Sequence, residues 1–308
     1  MDELEKKKII SYFNYNVSLE HSAIVQYLFH AYTIGEPEIE EELEEIAREE
    51  MRHLRAFAHK VVELGGKPDV DKRAAVFFHA PTPAELIKLD EEAEDMAIRE
   101  YTNQYKDLKD ERAKRILERA INDESAHKDI FIKLQEKLKE KEANGEVVFD
   151  ENKQKIVSIL NKVLQEQYAK ILEHLYESFM LRFKNPHLSD ELEQKAIDQM
   201  KHFGWIAEEV AEMGGEPSFD LKPIRKIEDT QKIVEETLKE EQEQKEKFSK
   251  LSEEIPDKDL QWILKRIAKR EIHYTDLQEF LSRPDLKTDD VVKIISALTV
   301  GSLFKGKK

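Results

Sequence analysis

The sequence predicts an all-α chain: two tandem four-helix bundles with an additional C-terminal helix. Three observations predict it. Charged residues make up 38% of the 308 residues, while glycine and proline number 9 each, a balance that favours long helices over sheets. Apolar residues recur at helical spacing through several long stretches. The stretch Val62-Glu-Leu-Gly-Gly-Lys-Pro68 returns as Val210-Ala-Glu-Met-Gly-Gly-Glu-Pro217. That echo marks an internal duplication of about 140 residues, far longer than a solenoid repeat.

The first helix is expected over residues 4–34, where Ile9, Tyr12, Phe13, Val17, Ile24, Tyr27, Leu28 and Ala31 form one apolar stripe. Glu20 interrupts that stripe, which is costly unless its carboxylate is paired or binds metal. Gly35-Glu-Pro37 stops this helix, and Pro37 suits the first turn of the next. The second helix runs to about Leu64, where Gly65-Gly66 supplies the stop. Residues 67–82 are too long for a tight hairpin and read as a crossover over the end or side of the bundle. Thr82-Pro83-Ala-Glu85 caps a third helix that reaches about Leu108, and the fourth covers 110–141. Asn144-Gly145 and the polar stretch 142–152 mark the boundary between a first domain, 1–143, and a second, 150–308. Residues 288–303 add the C-terminal amphipathic helix, which has no counterpart in the first repeat.

Composition removes several classes of function. With no cysteine, the chain has no disulfide, zinc ribbon, iron–sulfur cluster or thiolate-held iron. The N-terminus opens a polar helix, and no run approaches the roughly 18 apolar residues of a membrane span. A cytoplasmic protein without membrane attachment is expected. The formal charge of −16 repels a phosphate backbone and argues against nucleic-acid binding.

Glu50 and His53 stand three apart and share one face of the second helix, where both can hold one ion. Glu124 and His127 repeat the pattern in the fourth helix. A lone glutamate precedes each pair by 30 residues, Glu20 before Glu50 and Glu94 before Glu124. Four glutamates and two histidines so arranged are the ligand set of a di-iron or di-manganese site in a four-helix bundle. Carboxylates bridge and neutralise hard cations, and the two imidazoles favour iron, then manganese, over calcium or magnesium. Surface Glu–His pairs are the plain alternative, but the lone glutamates sit on apolar faces where unpaired carboxylates are rarely buried.

In the second repeat Glu166 stands for Glu20, Glu241 for Glu94, Phe248 for Tyr101, and Glu271 for Glu124. Gln199-Met-Lys-His202 stands for Glu50-Met-Arg-His53, and Tyr274 takes the place of His127. One carboxylate and one imidazole are thus missing. Glu166, His202, Glu241 and Glu271 remain as candidate ligands of a weaker, single-ion or purely polar site.

The stretch Leu19-Glu-His-Ser-Ala-Ile-Val-Gln-Tyr-Leu-Phe-His-Ala31, followed by Glu50-Met-Arg-His53, resembles bacterioferritin and its rubrerythrin relatives in the ferritin-like superfamily. Glu94-x-x-x-Ile98-x-x-Tyr101 and Asp123-Glu-x-x-His127 resemble the other half-site of that family. The resemblance implies two tandem ferritin-like four-helix bundles. It also implies Glu20 and Glu94 as terminal ligands, Glu50 and Glu124 as bridges, and one imidazole per ion from His53 and His127. Tyr27 matches a tyrosine beside the metals and is the candidate catalytic side chain, with a core aromatic as the alternative role. The implied function is oxidation of Fe²⁺, or reduction of peroxide or O₂, at two iron ions in the first repeat. The alternatives are a non-catalytic, metal-stabilised pseudo-dimer and an oxidase or oxygenase acting on an organic substrate. A homo-oligomer is the assembly the family allows. In bacterioferritin the methionine of the Glu-Met-x-His motif binds haem; Met51 and Met200 occupy that position here but read as packing residues, and haem is not expected.

Overall fold

A computed structural model describes residues 1–139 and 151–269. Among them are eight helices and no strand: α1 (Glu3–Ile34), α2 (Pro37–Glu63), α3 (Pro83–Asp107), α4 (Glu111–Lys139), α5 (Glu151–Leu181), α6 (Pro186–Glu212), α7 (Thr230–Glu254) and α8 (Lys258–Lys269). They fall into two successive sets of four. The expected helix over 288–303, the linker around Asn144-Gly145 and the ligand candidate Glu271 lie outside the described residues. No described helix is long and apolar enough to cross a membrane.

Local chemistry sets the helix ends where the sequence places them. Asp2 caps α1 by accepting from the Glu5 amide at 2.7 Å, and Gly35 ends it with φ of 71°. Thr82 caps α3, Asp110 caps α4, Asp229 caps α7 and Asp257 caps α8, each accepting from an amide of the first turn. Gly66 follows α2 because a Cβ there would lie 2.9 Å from the Val61 side chain.

Packed residues cluster into two compact units, Met1–Leu172 with Ala207–Ile224 and Glu173–Ile206 with Arg225–Lys308, so α5 and α6 each contribute to both. In the first unit α1 packs along α2 and α3 along α4, with α1 also meeting α3 and α2 meeting α4. Tyr27, Ile39, Leu43, Ile46, Ile87, Phe131 and Leu134 form one apolar core cluster of that bundle. The Phe13, Phe57 and Tyr101 rings form another, at centroid distances of 4.9 and 5.4 Å. In the second unit α7 packs on α8, and Leu181, Leu188, Leu192, Ile233 and Val234 form a core.

The crossover takes the side of the bundle. Asn14 bonds to Lys67 and Asp69, His21 to the Lys72 carbonyl, Ser18 to Ala74, and Gln26 and His30 to Phe77. These anchors span residues 14 to 30 of α1, about 24 Å of helix. The same stitching recurs where Asn161 bonds to Glu216 and Ser218, and where Glu173 accepts from the Arg225 amide.

Candidate metal centre

The six side chains of the first repeat converge. Glu20, Glu50, His53 and Glu124 offer ligand atoms within 4.8 Å of one another, and so do Glu50, Glu94, Glu124 and His127. All six are buried, with Glu50 and Glu124 fully so. Four different helices supply them: Glu20 from α1, Glu50 and His53 from α2, Glu94 from α3, Glu124 and His127 from α4. The i,i+3 pairs face inward because one turn of helix stacks them on one side.

Glu50 and Glu124 each divide their two oxygens between the two imidazoles. His53 Nδ1 lies 2.9 Å from Glu50 Oε2 and 3.1 Å from Glu124 Oε1. His127 Nδ1 lies 2.8 Å from Glu50 Oε1 and 3.1 Å from Glu124 Oε2. The outer glutamates split in the same way: Glu20 Oε1 is 4.0 Å from His53 Nδ1, and Glu94 Oε1 is 3.6 Å from His127 Nδ1. The result is two equivalent half-sites sharing two central carboxylates.

The donor set fits a pair of cations. Glu50 Oε1, both oxygens of Glu124 and Nδ1 of His127 are buried and make no hydrogen bond, although their neighbours are close enough. Lone pairs that converge without alignment for a shared proton suit a common ion. Charge tells the same story. Burial, then the charges of Glu124 and Glu50, push the Glu20 carboxyl well above the usual range. Burial, then Glu50 and Glu124, do the same to Glu94. Burial pulls the His53 imidazole down, but Glu124 and Glu50 outweigh it and push it up to about 12. His127 rises too, against its burial, through Glu124, Glu50 and Glu94. Burial likewise opposes the ionisation of Glu50, yet the two imidazoles hold that carboxyl at about 2. Without metal, protons carry the positive charge that this acid cluster requires.

A second layer orients the ligands, and every bond in it crosses the bundle. His53 Nε2 meets Asp123 Oδ2 at 3.0 Å, and His127 Nε2 meets Glu49 Oε2 at 2.9 Å. Each of those carboxylates directly precedes a central glutamate in sequence. With the outer nitrogens held this way, Nδ1 of each ring faces the centre. Tyr27, fully buried, donates to Glu94 Oε1 at 2.8 Å, and Tyr101, equally buried, donates to Glu20 Oε1 at 2.5 Å. Tyr101, Asp123 and Glu49 carry no assigned role in the sequence reading. A spacing could have revealed Tyr101: it stands seven residues after Glu94, as Tyr27 does after Glu20. Behind Tyr27, the buried His30 imidazole contacts both oxygens of Asp90 at 2.8 and 2.9 Å, and Gln26 donates to the same carboxylate at 2.9 Å.

The second repeat is different. The three groups of converging ligands among the described residues include none of Glu166, His202 or Glu241. Glu166 is exposed, while its neighbour Gln167 is buried. The register explains this: Asn161 makes the bonds in α5 that Asn14 makes in α1, so Gln167, not Glu166, matches Glu20. One residue of slip turns a side chain about 100° round the helix. His202 is buried with its ring 5.5 Å from that of Trp205. Glu241 is paired with the buried ammonium of Lys195, at the α6 position that corresponds to Ile46 in α2. Nearby in the second unit, Gln199 donates to Glu240 at 3.1 Å, and Arg225 contacts Glu173, Glu236 and Glu240. Resident cations offset these carboxylates. Met51 and Met200 are both half-buried.

Comparison with known proteins identifies the family of the segment that carries this centre. A family model described as Ferritin-like matches residues 13–173, the segment that holds all six ligands. The chain is 32% identical over 131 residues to a bacterioferritin of Desulfovibrio desulfuricans, an alignment covering 41% of this chain and 73% of that protein. No solved structure matches. With four helices delivering a buried set of four glutamates and two histidines inside the matched segment, the chain belongs to the ferritin-like family.

Proposed function

We propose that the chain holds two iron ions between Glu20, Glu50, His53, Glu94, Glu124 and His127, and oxidises Fe²⁺ or reduces peroxide or O₂ there. The observation that carries this reading is the sharing of Glu50 and Glu124, each with one oxygen toward either imidazole. The similarity to a bacterioferritin favours iron; manganese is the other ion this donor set accepts. When bound, the metal pair supplies the electrons that O₂ or peroxide takes up.

The chain's own residues hold and insulate that pair. Burial of all six ligands keeps bulk water from the carboxylates and strengthens their grip on cations. Tyr27 and Tyr101 each fix one oxygen of a terminal glutamate, Oε1 of Glu94 and Oε1 of Glu20, and so set the orientation of those carboxylates. Asp123 and Glu49 fix the imidazoles and accept charge from them. The protons that the metal-free imidazoles and outer carboxyls hold would have to leave for solvent, and the part-exposed Asp123 and Glu49 stand at the outer nitrogens. A chain without cysteine has no thiolate-held iron of its own to deliver electrons, so peroxide turnover draws on an external donor.

We read residues 1–143 as the di-metal domain and 150–308 as its partly degenerate copy, in a cytoplasmic protein that can assemble as a homo-oligomer. The test is anaerobic loading with Fe²⁺, a metal count per chain, and rapid mixing with O₂ or peroxide. Two irons per chain and a fast oxidation phase are expected, with both lost in Glu124→Ala. A closed structural site is the second reading, favoured by the burial of all six ligands. A loaded chain that neither reacts with either oxidant nor binds azide would select it.

A further inference from the structure

The chain has two tryptophans, and both pack on one arginine of α8. The Arg266 guanidinium lies 4.7 Å from the Trp205 ring centre and 5.1 Å from that of Trp262. Trp205 comes from α6 and Trp262 from α8, all within the second unit. Stacking between two indoles holds the guanidinium in place. Trp262 nevertheless stays 60% exposed, more than any other tryptophan, tyrosine or phenylalanine among the described residues.

The rest of that surface of α8 is basic. Lys258, Trp262, Lys265 and Lys269 are exposed, recur at helical spacing and form one stripe about 16 Å long. No carboxylate among the described residues pairs with these lysines or with Arg266. Asp259, the one acid of α8, stands about 100° round the helix from Lys258. In a chain with a formal charge of −16 such a face is an exception.

Charge selects what can cover this face. A second copy of α8 is excluded, because lysine would meet lysine. An acidic helix fits, and the chain carries one. On α2, Glu41, Glu42 and Glu45 share one side, with Glu41 and Glu45 exposed. None of the three has a cationic partner among the described residues. Their neighbours Glu38 and Glu44 do find cations, in Lys137 and Arg48.

We propose that α8 of one copy docks on the acidic stripe of α2 of a second copy, with Trp262 as the apolar anchor and Arg266 beside it. Tryptophan and arginine are the side chains that carry most binding energy at such contacts. The two faces differ, so the contact is heterologous and either closes into a ring or extends as a chain of copies. It is independent of the metal reading, since none of the six converging ligands takes part.

Sedimentation velocity of the full metal-free chain tests it. The parent is expected to self-associate at low ionic strength and to dissociate as salt rises, because exposed charges are screened. K258E/K265E and E41K/E45K are each expected to weaken self-association about tenfold or more, and Trp262→Ala to weaken it as well. Mixing the two charge-reversed chains is expected to restore a complex, because each reversed face then meets its opposite. The two reversals lie in different units, so either one tests the contact if the other fails to fold, which circular dichroism checks. A parent that stays monomeric at low salt overturns the proposal, and if it then binds heparin through Lys258 and Lys265 the face belongs to a foreign polyanion. Self-association that survives both reversals, or a mixture of folded variants that stays apart, overturns it equally.

Discussion

Tyr101 on α3 donates its hydroxyl to Glu20 Oε1 on α1 across 2.5 Å. Tyr27 returns the arrangement from α1 to Glu94 on α3 at 2.8 Å. Each tyrosine therefore serves the terminal glutamate of the opposite half-site, and the two imidazoles are held by crossed carboxylates in the same way. The buried pocket of four glutamates and two histidines is built as two halves that orient each other.

This crossing predicts matched effects. Tyr101→Phe and Tyr27→Phe each strip a buried carboxylate of its only tyrosine donor, at a cost of about 1–3 kcal/mol in the metal-free chain. Chemical denaturation in chelator measures it. Losses of similar size are expected for the two variants; a large effect from one and none from the other contradicts the equivalence of the half-sites.

Metal affinity follows the outer carboxylates. Asp123→Ala frees the outer nitrogen of His53, and Glu49→Ala that of His127. Loss of such a partner weakens metal binding about 10- to 100-fold. Calorimetric titration with Mn²⁺ is expected to show one weakened ion in each variant and both weakened in the pair.

The pH dependence of the metal-free chain is set in part by Glu208. Its carboxyl sits at about 7 in the folded chain and near the ordinary glutamate value once unfolded. The folded state thus binds the extra proton, so the stabilising contribution is complete below the unfolded value and is lost as pH rises toward 7. The groups facing it are Glu40 and Glu44 on α2, Glu209 and Glu212 on α6, and Tyr32 on α1, with Arg48 on Glu44. In chelator the melting temperature is expected to fall between pH 5 and pH 8, and Glu208→Gln to flatten that fall. Identical slopes for parent and variant refute the assignment.

Lys195 gives a fourth test. Its ammonium is 1% exposed and meets Glu241. Lys195→Met leaves that carboxylate without its cation, at a cost of about 3 kcal/mol, the low end for breaking a buried pair because Glu241 is partly exposed. Lys195→Ile with Glu241→Leu is expected to recover most of the loss, since it restores the apolar residue found at Ile46. Urea unfolding of the three chains decides it.

The sequence by itself determined the described helices of the first repeat and picked out the six side chains that converge there. Caps such as Asp2 and Thr82, stops such as Gly35, and the i,i+3 spacing of Glu50 with His53 are local, and helix geometry turns spacing directly into a shared face. Only the tertiary structure decided what lies across the bundle. The reach of Tyr101 to Glu20, the run of the crossover along α1 and the meeting of Glu208 with Glu40 depend on how helices dock, which no spacing within one helix encodes. The second repeat shows the boundary most sharply. Glu166 lies one residue from the buried position, and Glu241 keeps its identity but faces an ammonium. A carboxylate is legible in sequence, but what stands beside it, two imidazoles in one bundle or a lysine in the other, is chosen by the side chains that packing brings there.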